Sequence, residues 1–279
     1  MKNRLLDYQM NFANYLKPDA LVMNVLLVVI VFNFSLCSTN AQTTVYNQLN
    51  PEFQFNRAIS DKWALELDLG YTFSNTPEEN NILKTLIQGY SMFWGHFFAS
   101  PRWKLSSSLF YYYNHDVPEI GQYDNQEWRF GLQGIYYINK IKFTLSTRLR
   151  MEARFMTNES GVYEDSYRYR QMLKYVKPLN SQVLRQGVFY AVASEELFFR
   201  TISKSTGCKY FDRNMFAFGG GYLITDDFQV ELTYTHEFIP RDSGNTLNNL
   251  VTFTITTNNM APKIRKKITD LFMQPDEQE

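Results

Sequence analysis

Alternation between apolar and polar residues runs through most of this chain and limits what it can fold into. In residues 63–73 (WALELDLGYTF), Leu65 and Leu67 fall on one side, whereas Glu66 and Asp68 fall on the other. A period of two is that of a β-strand with one apolar and one polar face, because successive side chains point to opposite faces. A helix would scatter the same leucines around its axis. This segment is therefore predicted to be a strand.

The alternation recurs along the chain in segments that reach ten residues or more. It is clearest in residues 127–137, 141–155 and 228–238, and further candidates lie near residues 44–56, 83–102, 105–115, 165–178, 186–200, 211–223 and 246–257. Strands of soluble proteins usually have ~5–6 residues, whereas a tilted strand that crosses a bilayer needs ~9–11. The length of the segments favours strands that span a membrane.

Composition alone leaves two all-β folds open, an aromatic-rich soluble sandwich and a membrane barrel. Aromatic residues make up 16% of the 279, with 23 Phe and 19 Tyr, yet the mean hydropathy is −0.35. In a membrane barrel, one face of each strand meets lipid, the other meets polar contents, and aromatic girdles mark both interfaces. The strand length decides in favour of the barrel.

The connections between the predicted strands alternate in length. Tight turns are expected at residues 139–140 and 225–227, and longer polar loops at residues 74–81, 116–124, 157–164, 201–210 and 239–245. This asymmetry is typical of outer-membrane barrels, which normally have an even number of strands. Our segmentation gives eleven, so we expect one boundary to be misplaced. The prediction is an all-β fold, an antiparallel transmembrane β-barrel of 10–12 strands over residues 43–257.

Residues 1–42 are predicted to be a cleaved signal peptide. An apolar run at 21–36 (LVMNVLLVVIVFNFSL) follows three basic residues and precedes a stretch of small residues. This order is that of a secretory signal. An uncleaved anchor is the alternative, because the run approaches the ~20 residues that span a bilayer. After the barrel, residues 258–279 are predicted to be a periplasmic tail.

Charge and cysteine content exclude several kinds of partner. The formal net charge is zero and the pI is about 6.8, so there is no basic excess of the kind that nucleic acid attracts. Only Cys208 would remain after cleavage, which excludes an intramolecular disulfide and a cysteine-rich metal site. No phosphate-binding glycine loop or zinc spacing occurs. We predict no cofactor, no metal and no nucleic-acid partner.

Catalysis by a lipid-facing serine and histidine, as in some barrel enzymes, finds little support. Such a pair needs hydrogen-bond contact and a third group that orients the base. The three histidines are His96, His115 and His236, and none has a serine two residues away on the same strand face. We expect His115 at the base of a loop and His236 on the lipid-facing side near a strand end. The prediction is a protein without catalytic residues.

The polar faces of the predicted strands gather charges of both signs inside the barrel. Unpaired charges in a narrow interior cost several kcal/mol, so we expect them to form ion pairs. The predicted interior charge ladder consists of Glu66, Asp68, Glu127, Arg129, Arg148, Arg150, Glu152, Arg154, Arg168, Arg170, Glu196 and Glu231. Lys174 and Glu237 share these faces. An anion-selective path along the arginines is the alternative.

Several segments together resemble the bacterial proteins grouped as domain of unknown function 2490, over about residues 46–256. They are Asp61-Lys62-Trp63, Arg148–Arg154, Tyr167–Arg170, Glu195–Phe198, Phe211–Asn214 and Gly219–Tyr222. In this family an arginine usually follows the position of Asn214, whereas in this chain Met215 follows it. The resemblance implies an outer-membrane barrel of unassigned activity from a Gram-negative bacterium of the Bacteroidota.

These observations predict a non-enzymatic outer-membrane barrel with a structural or transport-accessory role and a largely ion-paired interior. Its expected partners are outer-membrane lipid and, during insertion, the barrel-assembly machinery. A lipid-modifying barrel enzyme, a narrow anion-preferring pore and a surface module whose long loops bind a ligand stay open as alternatives.

Overall fold

The computed structural model describes residues 43–76, 79, 81–117, 122–157, 163–201, 210–240 and 244–259. The chain divides into Met1–Gln42 and Thr43–Glu279, and every described residue belongs to the second unit. The predicted signal peptide and most of the predicted tail lie outside the described residues. No helix with the length and hydrophobicity to cross a bilayer occurs in the part of the chain that the structure describes.

Eleven β-strands account for most of the described residues, and they have 12 to 18 residues each. They are β1 (Thr43–Ala58), β2 (Trp63–Ser74), β3 (Thr85–Ser100), β4 (Trp103–Val117), β5 (Gln122–Asn139), β6 (Thr144–Thr157), β7 (Tyr163–Pro178), β8 (Phe189–Arg200), β9 (Phe211–Thr225), β10 (Phe228–Ile239) and β11 (Asn245–Asn258). Residues 59–62, 101–102, 140–143, 179–188 and 226–227 connect strands at one end of the barrel, which is called the turn end. The opposite end is called the loop end.

The strands close into a barrel in which each strand pairs with its sequence neighbours and β1 pairs with β11. All sequential pairs are antiparallel, whereas the closing pair is parallel, with Asn47 opposite Asn249 and Phe53 opposite Ile255. The segmentation gave the observed number of strands, eleven, and the expectation that this odd count came from a misplaced boundary is wrong. It assumed that every pair is antiparallel, and an odd number of alternating strands closes only if the first and last run in the same direction.

Strand boundaries differ from the sequence prediction at both ends of the barrel. The largest difference is at the loop end, where β5 begins at Gln122, five residues before the predicted start at 127. Residues 83–102, which are long for a single strand, contain the single strand β3. The strand predicted from residue 141 begins at Thr144, because Lys142 has a φ of 63° within the preceding turn. A side chain at positive φ is compatible with a turn and poorly compatible with a strand.

The two faces of the barrel wall have opposite character. Leu67, Leu149 and Leu232 point outward and are 38%, 64% and 55% exposed, whereas the inward-facing Glu127 and Glu152 are 0% and 1% exposed. A soluble protein buries its large apolar side chains and leaves its charges in water. This wall does the reverse, as the alternation in the sequence predicted.

Aromatic side chains pair across neighbouring strands near both ends of the barrel. At the turn end, ring centroids lie 4.3–5.3 Å apart in the pairs Trp63–Phe97, Trp103–Tyr136, Phe143–Tyr175 and Phe189–Tyr222. Towards the loop end, Tyr111 contacts Trp128 and Phe199 contacts Tyr210. Aromatic rings at two levels of an apolar wall are the arrangement that marks the two interfaces of a membrane barrel.

Candidate functional site

The buried charges of β5 and β6 form a first ion-pair group around Glu127. Arg129 Nε and Arg154 Nε donate to Glu127 Oε1 over 2.6 and 2.5 Å, and the other carboxylate oxygen accepts from the Nη2 atom of each. Arg129 and Arg154 are cross-strand partners, and Glu127 lies two residues before Arg129 on the same face. The Arg129 guanidinium also lies 3.8 Å from the centre of the Tyr112 ring. Two guanidinium groups from adjacent strands therefore share one buried carboxylate.

Glu152 is the centre of a second and larger group. It pairs with Arg168 at 2.6 Å and with Arg170 at 2.7 Å, both on the adjacent strand β7, and with Arg150 at 3.5 Å on its own strand. Because Glu152 is 1% exposed, these guanidinium groups replace the water that a carboxylate needs. One carboxylate thus holds three cations from two strands.

Glu196 extends the second group to β8. Its carboxylate pairs with Arg148 at 2.5 Å and with Arg170 at 2.9 Å. Since Arg170 contacts both Glu152 and Glu196, the group is continuous from β6 through β7 to β8. The Phe198 ring lies beneath it, with the guanidinium carbons of Arg168, Arg170 and Arg213 at 5.4, 4.4 and 5.9 Å from its centre. The ring provides a cation–π surface inside the charged cluster.

Asp212 completes the group through a break in strand regularity. The pairing of β8 with β9 shifts between Phe198, which is opposite Arg213, and Phe199, which is opposite Phe211, so that Asp212 is an extra residue in β9. Consequently Asp212 and its neighbour Arg213 both contact interior charges, although alternation would send one of them outward. Asp212 pairs with Arg168, Arg200 and Arg213 at 3.7, 3.2 and 3.2 Å.

Sequence reasoning missed Arg200, Asp212 and Arg213 because a bulge and a strand end hide them from a period-two pattern. Arg213 also pairs with Glu237 at 2.7 Å, and Asn248 Nδ2 donates to that carboxylate. The resemblance placed an arginine at position 215, but Met215 lies there opposite Glu196 and Glu237. The cation for Glu237 comes from Arg213 instead.

Three members of the predicted ladder lie elsewhere in the interior and contact no arginine within ion-pair distance among the described residues. Trp94 Nε1 donates to Asp68 Oδ2, and Tyr190 OH donates to Glu231 Oε2. The third, Glu66, lies 3.3 Å from His96. The structure therefore divides the predicted set into an arginine-rich wall on β5–β8 and a carboxylate wall on β2 and β10.

Histidine 96 has a neighbour that the sequence did not reveal. Its Nδ1 lies 2.8 Å from Ser106 Oγ on β4, and its Nε2 lies 3.3 Å from Glu66 Oε2 on β2. Serine, histidine and carboxylate in hydrogen-bonded order are the components of nucleophilic catalysis. Here His96 and Ser106 are only 3% and 7% exposed. The serine comes from the adjacent strand, so a search along one strand could not find it.

The other two histidines lie where the sequence predicted. His115 is exposed two residues before the end of β4 and contacts Asp124 at 2.7 Å. His236 is on the outward face of β10, opposite Phe216 and Asn249. Within the described ranges, no group of three His, Cys, Asp or Glu side chains could hold a metal ion.

The geometry defines a class of protein: a closed β-barrel with an apolar outer wall and an ion-paired interior. Residues 47–248 match the family described as protein of unknown function (DUF2490), and the chain belongs to this family. The segments that carry the resemblance supply the interior groups, since Arg148–Arg154, Glu196, Phe198 and Asp212 all contribute to them.

Comparison with solved structures gives a similarity to a chain titled bacterial polysaccharide outer membrane secretin. The TM-score is 0.48 and the sequence identity is 15%, over 71% of this chain and 66% of that chain. This chain thus spans slightly less than two thirds of its length. No curated protein matches.

Proposed function

We propose that this protein is a non-enzymatic outer-membrane barrel with a structural or transport-accessory role. The observation that carries the proposal is the reversed wall, with large apolar side chains exposed outside and charges buried inside. Exposed apolar surface on this scale is unfavourable in water and favourable against acyl chains. The two levels of paired aromatic rings agree with a bilayer between them.

The outer membrane is the proposed location because closed barrels are the β-structures that span membranes, and bacterial barrels occur there. The predicted signal peptide at 1–42 would direct export. Outer-membrane lipid would then contact the apolar wall, and the barrel-assembly machinery would insert the strands. The source is proposed to be a Gram-negative bacterium of the Bacteroidota.

A closed interior is proposed in preference to the anion-preferring pore. Arg148, Arg150, Arg154, Arg168 and Arg170 were the candidate lining of that pore. Each of them pairs with a buried carboxylate. To bind a passing anion, each of these arginines would have to break its ion pair with a buried carboxylate, which disfavours anion conduction along them.

Two measurements test these statements. The protein in the outer-membrane fraction should give a gel band whose migration changes on boiling, as expected of a folded barrel. Unchanged migration would contradict the proposal that the protein is a folded barrel in that membrane. Purified protein in planar bilayers should give no steady unitary current, and regular conductance steps would favour the pore.

The contact between Ser106 and His96 favours a second candidate, a serine hydrolase. A fluorophosphonate reagent reports such a nucleophile. The non-enzymatic proposal predicts no labelling, because both side chains are buried and both ring nitrogens of His96 are engaged. Labelling that is lost in Ser106→Ala and kept in Ser108→Ala, a buried inward-facing serine on the same strand, would instead support the hydrolase.

A further inference from the structure

Two lysines and an arginine project into the barrel interior near the turn end. Lys104 is the second residue of β4, Arg148 lies on β6, and Lys174 lies four residues before the end of β7. Side chains two and four residues away on the same strands are buried or half-buried, and alternation gives these three cations the same inward direction.

The three cations lie close enough to act on one another. Lys104 on β4 and Arg148 on β6 are both register partners of Ile135 on β5, which lies between them. Lys174 pairs with Ser146, two residues from Arg148, which is a diagonal neighbour position. Diagonal neighbours are ~7–8 Å apart at Cα, within reach of long side chains. The charges of Arg148 and Lys174 both act on Lys104.

The acidic partners of this cluster are incomplete. Arg148 binds Glu196 through Nη2, and its Nε is buried without a hydrogen-bond partner. In the described part of the chain, neither Lys104 nor Lys174 has a carboxylate within 4.0 Å. At longer range Glu66 attracts Lys104 more strongly than Arg148 or Lys174 repels it, and Asp68 attracts it more weakly. Like charges that are partly removed from water repel one another, and an anion between them would relieve that repulsion.

The surrounding rim has the same sign. Among the described residues at and near the turn end, cations outnumber carboxylates. Leaving out the side chains on the outward faces of the strands, the cations are Lys62, Arg102, Lys140, Lys142 and Arg185, and the carboxylates are Asp61, Asp226 and Asp227. A mouth lined by one sign of charge raises the local concentration of ions of the opposite sign.

We propose that Lys104, Arg148 and Lys174 bind a phosphate group in the turn-end mouth of the barrel. A phosphate carries up to two negative charges and three acceptor oxygens, which suits two ammonium groups and one guanidinium with a free N–H. The group can belong to a soluble phosphate or to a lipid headgroup. Both sources present the same chemistry to the three side chains.

The test is the unfolding temperature of the purified full barrel in a nonionic detergent. Sodium phosphate should raise it saturably, whereas sodium chloride at equal ionic strength should not, because a ligand that binds only the folded state stabilises it. Short-chain phosphatidic acid is titrated in parallel. A response to phosphatidic acid with none to inorganic phosphate identifies a lipid source, and a response to both identifies the phosphate group itself.

Lys104→Gln and Lys174→Gln should each weaken phosphate binding about tenfold to a hundredfold, because each removes a charge-assisted hydrogen bond. Lys177→Gln is the matched control, since Lys177 is exposed on the outward face of β7. The double lysine variant should unfold no more easily than wild type without phosphate, because repulsion has been removed. The absence of a wild-type response to both inorganic phosphate and phosphatidic acid, a full response in the double variant, or a double variant that does not fold would each overturn the proposal.

Discussion

Single buried charges are the residues on which the interior depends most. Glu152 contacts Arg150, Arg168 and Arg170, and it is 1% exposed. Removal of one member of a buried ion pair leaves uncompensated charge in a medium that solvates it poorly. Removal of such a residue should therefore lower the free energy of unfolding more than removal of a charge on the exposed rim.

Glu152→Gln should lower the free energy of unfolding by about 3–5 kcal/mol, because three guanidinium groups lose their shared carboxylate. Denaturant unfolding in detergent, followed by tryptophan fluorescence, measures the change. Glu79→Gln is the control: its 2.7 Å pair with Lys84 is about half exposed, and such pairs contribute about 0–1 kcal/mol. Equal losses in the two variants would show that the interior pairs are as well hydrated as the rim.

At the scale of strands, inward glycines make room for aromatic rings from the neighbouring strand. A Cβ at Gly221 on β9 would lie 2.2 Å from Tyr190 OH and 2.3 Å from its ring carbon on β8. That ring crosses β9 so that its hydroxyl reaches Glu231 on β10 at 2.6 Å. The glycine thus fixes where a buried tyrosine lies and which carboxylate it binds.

Gly221→Ala should cost about 1–3 kcal/mol of stability, because the tyrosine ring must move out of its place. Gly134→Ala on β5 serves as the comparison, since its added Cβ would meet Leu105 at an ordinary 3.7 Å. Both are measured by the midpoint of the gel shift on heating. A Gly134→Ala variant as unstable as Gly221→Ala would point to backbone effects instead of the tyrosine contact.

Closure by β1 and β11 is a second property of the elements that can be tested. In a Cys208→Ser background, Leu49→Cys with Val251→Cys should form a disulfide, because the two residues are register partners. Leu49→Cys with Ile255→Cys should not, since four residues along a strand separate them by about 13 Å. A disulfide only in the second pair would show that the two strands pair in a different register. The absence of a disulfide in both pairs would contradict the parallel closure.

For the whole molecule, the apolar outer wall predicts that the barrel is surrounded by lipid acyl chains and not by water. Spin labels at Leu67→Cys, Leu149→Cys and Leu232→Cys should be accessible to oxygen dissolved in acyl chains and shielded from a water-soluble paramagnetic reagent. Lys142→Cys in a turn should show the opposite preference, because Lys142 is exposed beyond the strands. Water accessibility at all three leucine positions would contradict the membrane location.

Sequence alone determined the strand character, the two faces and the charges of the interior, since period two follows directly from backbone geometry. Glu127, Arg129, Glu152 and Arg154 alternate with apolar neighbours, so their common inward direction can be predicted without knowing which strands pair. The pairing itself could not be predicted in the same way, because contacts between strands far apart along the chain depend on register.

Only the tertiary structure decided three features. Parallel pairing of β1 with β11 allowed an odd number of strands, and the bulge at Asp212 brought three arginines to one carboxylate. Register also placed Ser106 beside His96 and split the predicted ladder into two walls. Each of these features depends on how strands align across the sheet, and local alternation carries no information about that alignment.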